Sequence, residues 1–412
     1  MILALLLALT QDPGTPELRG AWLDSDTFTT PALRAAMIQK LRAAHLNTAF
    51  LTVPPLNGNY GTVDGAAFGA MVDDLQAAGI SIQAWFQCYK RRGESTPADF
   101  TQAAEREAQR QWALDMLAAY PKLDGIHFDY IRYSTWEANA AAKLNGVQET
   151  VRITKEAVAP RPLTCAVFQA FAVTYRGWDP AWEGDVPAWY RSWYAANPDN
   201  YYKRKAVSSG NPNHLYGPSH FSYQQDPTSF LKNGWADACA SMQYTAVDAT
   251  WQQEVQIWKS FLGADVSRLW MGLGWMGPVQ WFEDSAFDPA AMVRFVKHGR
   301  AQGIRGFVIF RLGQPGVDDS PLINALSVDG PANGNAAVFK TDVASPLGGA
   351  APPPPPPPGP PPAPSSGGGS SGDDSGCSLG TAGGPGMSTS LAALLLAMAS
   401  CGRWASRPSS RR

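Results

Sequence analysis

Asp124-Gly-Ile-His-Phe-Asp-Tyr-Ile-Arg-Tyr133 is the stretch on which the fold turns. A turn-forming Asp-Gly opens it, and Ile126 and Phe128 then alternate with His127 in the two-residue period of a strand. The spacing predicts a strand over 125–129 with Asp129 at its carboxyl end, followed at once by Tyr130, Arg132 and Tyr133. In α/β barrels and open parallel sheets that edge carries the functional loops, so a carboxylate there is a catalytic candidate. A structural ion pair between Asp129 and Arg132 is the competing explanation. As a neighbouring cation, Arg132 is expected to favour the ionised form of Asp129. His127, opposite in phase to its apolar neighbours, reads as a hydrogen-bonded histidine of a barrel layer.

Outward from this strand, short apolar runs alternate with helix-period segments, which argues for a parallel sheet. The runs are 20–23, 47–52, 82–86, 125–129, 163–168, 238–242, 269–273 and 306–310. Leu33, Met37, Ile38 and Leu41 recur at helical spacing, as do Met71, Leu75 and Ile80. Further helices are expected over 98–119 and 291–302, the latter stopped by Gly303. Eight such units over residues 19–326 predict an α/β fold of the (β/α)8 TIM-barrel type. A doubly wound open sheet is the alternative, but no GxGxxG follows the first strand. The loop 169–235 is far longer than a barrel needs. It carries Trp178, Trp182, Trp189, Trp193, Tyr194, Tyr201, Tyr202 and Tyr216, and reads as a partly helical lid or substrate wall.

Composition narrows the function. The 412 residues are 45% hydrophobic, with a formal charge of -2 and only short Lys/Arg runs at 90–92 and 203–205, so nucleic acid is not an expected partner. Cys88, Cys165 and Cys239 show no CxxC spacing, and the five histidines form no HExxH, so neither a metal nor a cofactor is expected. No GxSxG elbow occurs, which counts against an esterase. Fifteen Trp suit the stacking of sugar faces as well as core packing.

The ends read differently. Residues 1–12 begin with the apolar run MILALLLALT and resemble a secretory signal, which predicts export. Residues 345–376 hold an unbroken proline run, 352–358, and Gly/Ser-rich sequence, expected to form a disordered stalk. Residues 377–412 combine Cys377, a short apolar segment and an Arg-rich end. This tail resembles bacterial C-terminal sorting signals, implying display at the cell surface, tail-processing machinery and transient membrane contact. Its apolar run falls short of the roughly 20 residues of a spanning helix.

With the strands placed, the mouth of the barrel is expected to collect Asp24 and Trp22 from the first strand and Trp85 from the third. Asp129, Tyr130, Arg132 and Tyr133 would come from the fourth, Gln243 and Tyr244 from the sixth, Trp275 from the seventh and Arg311 from the eighth. A carboxylate, amide and aromatic lining suits a polyhydroxylated substrate. Glycoside hydrolysis needs two carboxyl groups. Asp129 is the first. Glu183 and Asp185 in the aromatic loop lead for the second, with Asp24 and Glu283 behind them. Each of these loop carboxylates also has an ordinary reading as a solvated side chain or helix cap.

Four segments together resemble the glycosyl-hydrolase-like family 10 barrels: 19–24 (RGAWLD), 124–133, Gln243-Tyr244, and 306–310 (GFVIF). The resemblance implies an exported bacterial glycosidase acting on an oligosaccharide or polysaccharide, in some relatives the glycan strands of peptidoglycan. A fainter likeness to chitinase-type barrels rests on Asp124, Gly125, Asp129, Met242 and Tyr244. Ile131 stands where those enzymes carry their acid, so their substrate-assisted mechanism is not implied here. The competing expectation is a catalytically silent carbohydrate-binding barrel.

Overall fold

The computed structural model describes residues 16–54, 64–88, 98–133, 140–174, 215–218, 224–245, 247–275, 288–330 and 336–348, with backbone alone for 140–141, 171–174 and 215–218. Its centre is a closed barrel of eight parallel strands. They are β1 (Leu18–Leu23), β2 (Thr48–Thr52), β3 (Ser81–Gln87), β4 (Gly125–Asp129), β5 (Leu163–Val167), β8 (Ala238–Ser241), β9 (Leu269–Gly274) and β10 (Gly306–Phe310), joined in ring order β1-β10-β9-β8-β5-β4-β3-β2. The expected (β/α)8 architecture is therefore present. The strands over 125–129 and 306–310 match their expected limits, and the others differ by one or two residues.

Helices α1 (Pro31–Ala43), α2 (Gly65–Ala77), α3 (Ala103–Ala119), α4 (Ala140–Val158), α5 (Pro227–Lys232), α6 (Asp248–Leu262), α7 (Pro289–Ala301) and α8 (Ser320–Ser327) form the outer ring. Several start on a capping residue followed by proline: Thr30-Pro31, Asp226-Pro227 and Asp288-Pro289. The side-chain oxygen accepts an orphan backbone N–H while proline presets φ for the first turn. Gly303 ends α7 at φ +93, as expected of a helix stop. Helix α3 starts five residues later than the spacing suggests. Asp99 accepts the N–H and hydroxyl of Thr101, a local turn that competes with helix, and the hydroxyl of Tyr133 besides.

Alternation along each strand divides the core in two. Ile126 and Phe128 belong to the layer between barrel and helices, whereas Trp22, Phe50, Trp85, Tyr244, Trp270 and Phe310 fill the barrel interior. Each large buried side chain contributes roughly 1.5–3 kcal/mol by leaving water. Two glycines make room for this filling. A Cβ at Gly306 would lie 2.1 Å from the Trp270 indole, and one at Gly125 would lie 2.5 Å from Pro162 O and 2.7 Å from Gln83.

Two boundaries differ from the sequence reading. The packed chain continues past 326, because Val338 and Phe339 join the outer core and Leu347 joins the interior cluster. Arg19 donates to Thr341 O, Asn47 to Val343 O, and Thr48 Oγ1 bonds Ser345 Oγ, so residues 337–348 strap the amino-terminal floor of the barrel. Ser345 and Leu347, expected to begin the stalk, are thus part of the folded unit. Between β5 and β8, β6 (Phe171–Thr174) and β7 (Leu215–Pro218) pair antiparallel at the base of the long insertion. The aromatic residues expected in that loop lie outside the described residues, apart from the backbone of Tyr216, and so do the signal-like start and the chain beyond 348.

Candidate active site

Asp129 closes β4 and is buried, 5% exposed. Its Oδ2 accepts the indole N–H of Trp85 at 3.1 Å and its Oδ1 the backbone N–H of Tyr130 at 2.6 Å; Arg132 Nη1 stands 3.4 Å from Oδ1. Every one of these partners is a donor, so the pocket is built around the carboxylate form. Tyr130 holds φ +53, a left-handed conformation that costs a non-glycine residue about 1 to 3 kcal/mol. That turn sends the chain back so that the Arg132 N–H meets Tyr130 O at 2.7 Å and the guanidinium returns to Asp129. The guanidinium lies 4.2 Å from the Tyr130 ring and 4.2 Å from the Phe168 ring, held between two aromatic faces.

Burial raises the Asp129 pKa above its ordinary 3.8, and the pull of Arg132, the Tyr130 N–H and Trp85 only partly offsets it. Arg132 favours the ionised form, as expected, but does not set the net direction. Desolvation of a nearly sealed carboxyl outweighs one cation whose closest nitrogen is 3.4 Å away. Burial, followed by the Asp129 charge, also raises Tyr244 well above an ordinary phenol, so it remains a neutral hydroxyl. Its ring stacks on Phe310 at 5.0 Å. Buried Cys88 feels the same charge, and its backbone N–H bonds Asp129 O.

The remaining expected residues divide. Trp22 is sealed in the interior and donates Nε1–H to His127 Nε2 at 3.1 Å. An indole only donates, so His127 carries its proton on Nδ1, directed at Thr164 Oγ1 2.8 Å away. Burial lowers the His127 pKa to about 3, which makes it the neutral barrel-layer histidine expected. Asp24 is paired with Arg311 and accepts from Thr52, while Asp26 lies 3.7 Å from the same arginine. Gln243 is buried, and its amide makes no hydrogen bond among the described residues. Trp275 packs in the outer layer with its indole N–H on Asp319, and the Tyr133 hydroxyl bonds Asp99 and the Thr101 N–H. The structure thus joins Asp129, Trp85, Tyr130 and Arg132 in one cluster and Asp24 with Arg311 in another. Trp275 and Tyr133 serve the helical shell.

Glu183, Asp185 and Glu283 lie outside the described residues. Among the described residues no group of His, Cys, Asp and Glu has the arrangement of a metal site. Phe168, Gln225 and Glu254 escaped the sequence reading. Phe168 forms the second face on Arg132, Gln225 bonds the loops on both sides, and buried Glu254 accepts the Ala170 N–H just before β6. Only Gln225 carried any local signal, as the neighbour of the Asp226-Pro227 helix start.

No family model matches the chain, and no curated protein does. Among solved structures, a chitinase from Rhizomucor miehei aligns at 13% identity over 74% of this chain and 97% of its own, with a TM-score of 0.46. The spore cortex-lytic enzyme of Bacillus cereus aligns at 11% identity over 73% and 72%, with 0.45. The catalytic domain of a mannanase from Streptomyces sp. SirexAA-E aligns at 12% over 82% and 95%, with 0.44. Likeness at this level carries no argument about chemistry, which rests on the residues.

Proposed function

We propose that the chain is a glycoside hydrolase that cleaves O-glycosidic bonds at the carboxyl-terminal mouth of its barrel. The observation that carries the reading is Asp129, a buried carboxylate at the end of the fourth barrel strand whose hydrogen-bond partners among the described residues are all donors. Such a group, kept anionic in a dry aromatic setting, stabilises the positive charge that grows on the anomeric carbon, or attacks it. The second carboxyl group, the proton donor, is assigned to Glu183 or Asp185 of the aromatic insertion. Tyr244, a neutral phenol close enough to feel the Asp129 charge, is assigned to binding a substrate hydroxyl.

The substrate class we propose is a bacterial wall or extracellular glycan, met by an enzyme exported on its N-terminal segment and displayed on the proline-rich stalk. The support for this is the sequence of the two ends and the resemblance of 124–133. Release of reducing ends from a panel of purified glycans, by the full chain and by Asp129→Asn, tests the activity. Release by the wild type that falls at least about a thousandfold in the variant supports the reading. Equal release by both removes Asp129 from the chemistry. Binding without release by either protein favours a carbohydrate-binding barrel, a reading supported by the engagement of Asp24 with Arg311.

A further inference from the structure

Gln225 lies just before α5, at the far end of the insertion, and is fully buried. Its Oε1 accepts the Phe168 N–H at 2.9 Å, while its Nε2 donates to Ile131 O at 3.3 Å and Ala166 O at 3.2 Å. All three contacts are to main chain, and they span two different strand exits. Ile131 sits between Tyr130 and Arg132, and Phe168 supplies the second aromatic face on the Arg132 guanidinium. One amide therefore holds both sides of the clamp on the cation beside Asp129. Only a side-chain amide offers an acceptor and two donors in one plane at this reach. Leucine of similar size leaves three buried main-chain groups unpaired, and glutamate sets an acceptor against two carbonyl oxygens.

We infer that Gln225 is a positioning residue for the Asp129–Arg132 pair, fixing the loops after β4 and β5 so that the guanidinium stays clamped beside the carboxylate. The inference rests on reading Asp129 as the functional carboxylate, but its test needs no substrate. A failed glycan panel and a failed Gln225 test are thus separate results.

Among the described residues, the groups facing Asp129 are Arg132 and Tyr130 from its own loop, Trp85 and Cys88 from β3 and its exit, and Tyr244 from beyond β8. Arg132 is the one cation among them, so loosening it moves the Asp129 titration upward. The full chain, labelled with carbon-13 at the aspartate carboxyl groups, reports that titration by NMR, with Asp129 assigned from the signal lost in Asp129→Asn. Gln225→Leu is expected to shift the midpoint up by about one unit, a tenfold change in ionisation constant. Arg132→Gln shifts it the same way, and the double variant no further than Arg132→Gln alone. An unshifted midpoint in folded Gln225→Leu, or additive shifts in the double variant, overturns the inference. Should Gln225→Leu fail to fold, Gln225→Asn retains an amide one methylene shorter. A smaller upward shift there supports the assignment, and a lowered Tm with no shift overturns it.

Discussion

The indole nitrogen of Trp85 on β3 donates to Asp129 Oδ2 on β4 at 3.1 Å, tying an interior ring to the buried carboxylate. A charge-assisted bond of this kind is worth about 1.5–3 kcal/mol. Trp85→Phe keeps most of the packing and removes the donor. We expect the Asp129 titration to move further up, and glycan hydrolysis to fall by roughly tenfold to a hundredfold at neutral pH. Unchanged carboxyl titration in the variant rules out the bond as an electrostatic contributor.

The proposed hydrolysis predicts a defined acid limb. In the proposed hydrolysis Asp129 acts as an anion, and burial lifts its pKa above 3.8. Activity therefore falls as pH drops through that raised value, earlier than an exposed aspartate would dictate. Measuring kcat/KM against pH checks this. A limb at or below the ordinary aspartate range contradicts it.

His127 contributes to acid sensitivity through the fold. Its pKa drops from 6.5 to about 3 on burial. Below 6.5 the unfolded chain binds a proton that the folded chain refuses, so this stability is present above 6.5 and is lost as pH falls towards about 3. In His127→Gln, which can still accept from Trp22 and donate to Thr164, the loss of urea stability between pH 7 and about pH 4.5 should shrink by roughly 2 kcal/mol. An identical pH dependence in both proteins rejects the assignment.

Glu17 works in the opposite direction at the barrel floor. Burial alone would raise it, but two bonds from Arg300 and one from Arg19 lower its pKa below 4.5 overall. The stabilisation is present above 4.5 and lost as pH falls through the lowered folded value. Glu17→Gln leaves buried Arg19 and partly buried Arg300 short of a counter-charge and should cost about 3 kcal/mol at neutral pH, with a flatter acid limb in urea titrations.

The floor strap is a part of the domain. Phe339 is fully buried, with the Arg19 guanidinium 4.7 Å from its ring. Phe339→Ala should destabilise by about 3–5 kcal/mol, and a chain ended at Leu326 should aggregate or unfold where one ended at Gly348 does not. Equal thermal melting of the two shortened chains refutes a structural role for residues 337–348.

Periodicity carried the architecture because each strand and helix declares itself locally. Ile126 and Phe128 set the face of β4, Thr30-Pro31 and Asp288-Pro289 start helices, and Gly303 stops one. By the same local rules Asp129 sits at a strand end, and His127 is interior. Tertiary structure alone decided the rest, since burial and partnership are sums over residues distant in sequence. The pKa direction of Asp129 depended on how completely β3, β4 and their loops exclude water, a quantity that the nearby Arg132 does not reveal. Trp275 and Tyr133 were drawn to the helical shell by Asp319 and Asp99. Gln225 reached the site from 94 residues beyond Ile131, at a separation where no spacing rule operates.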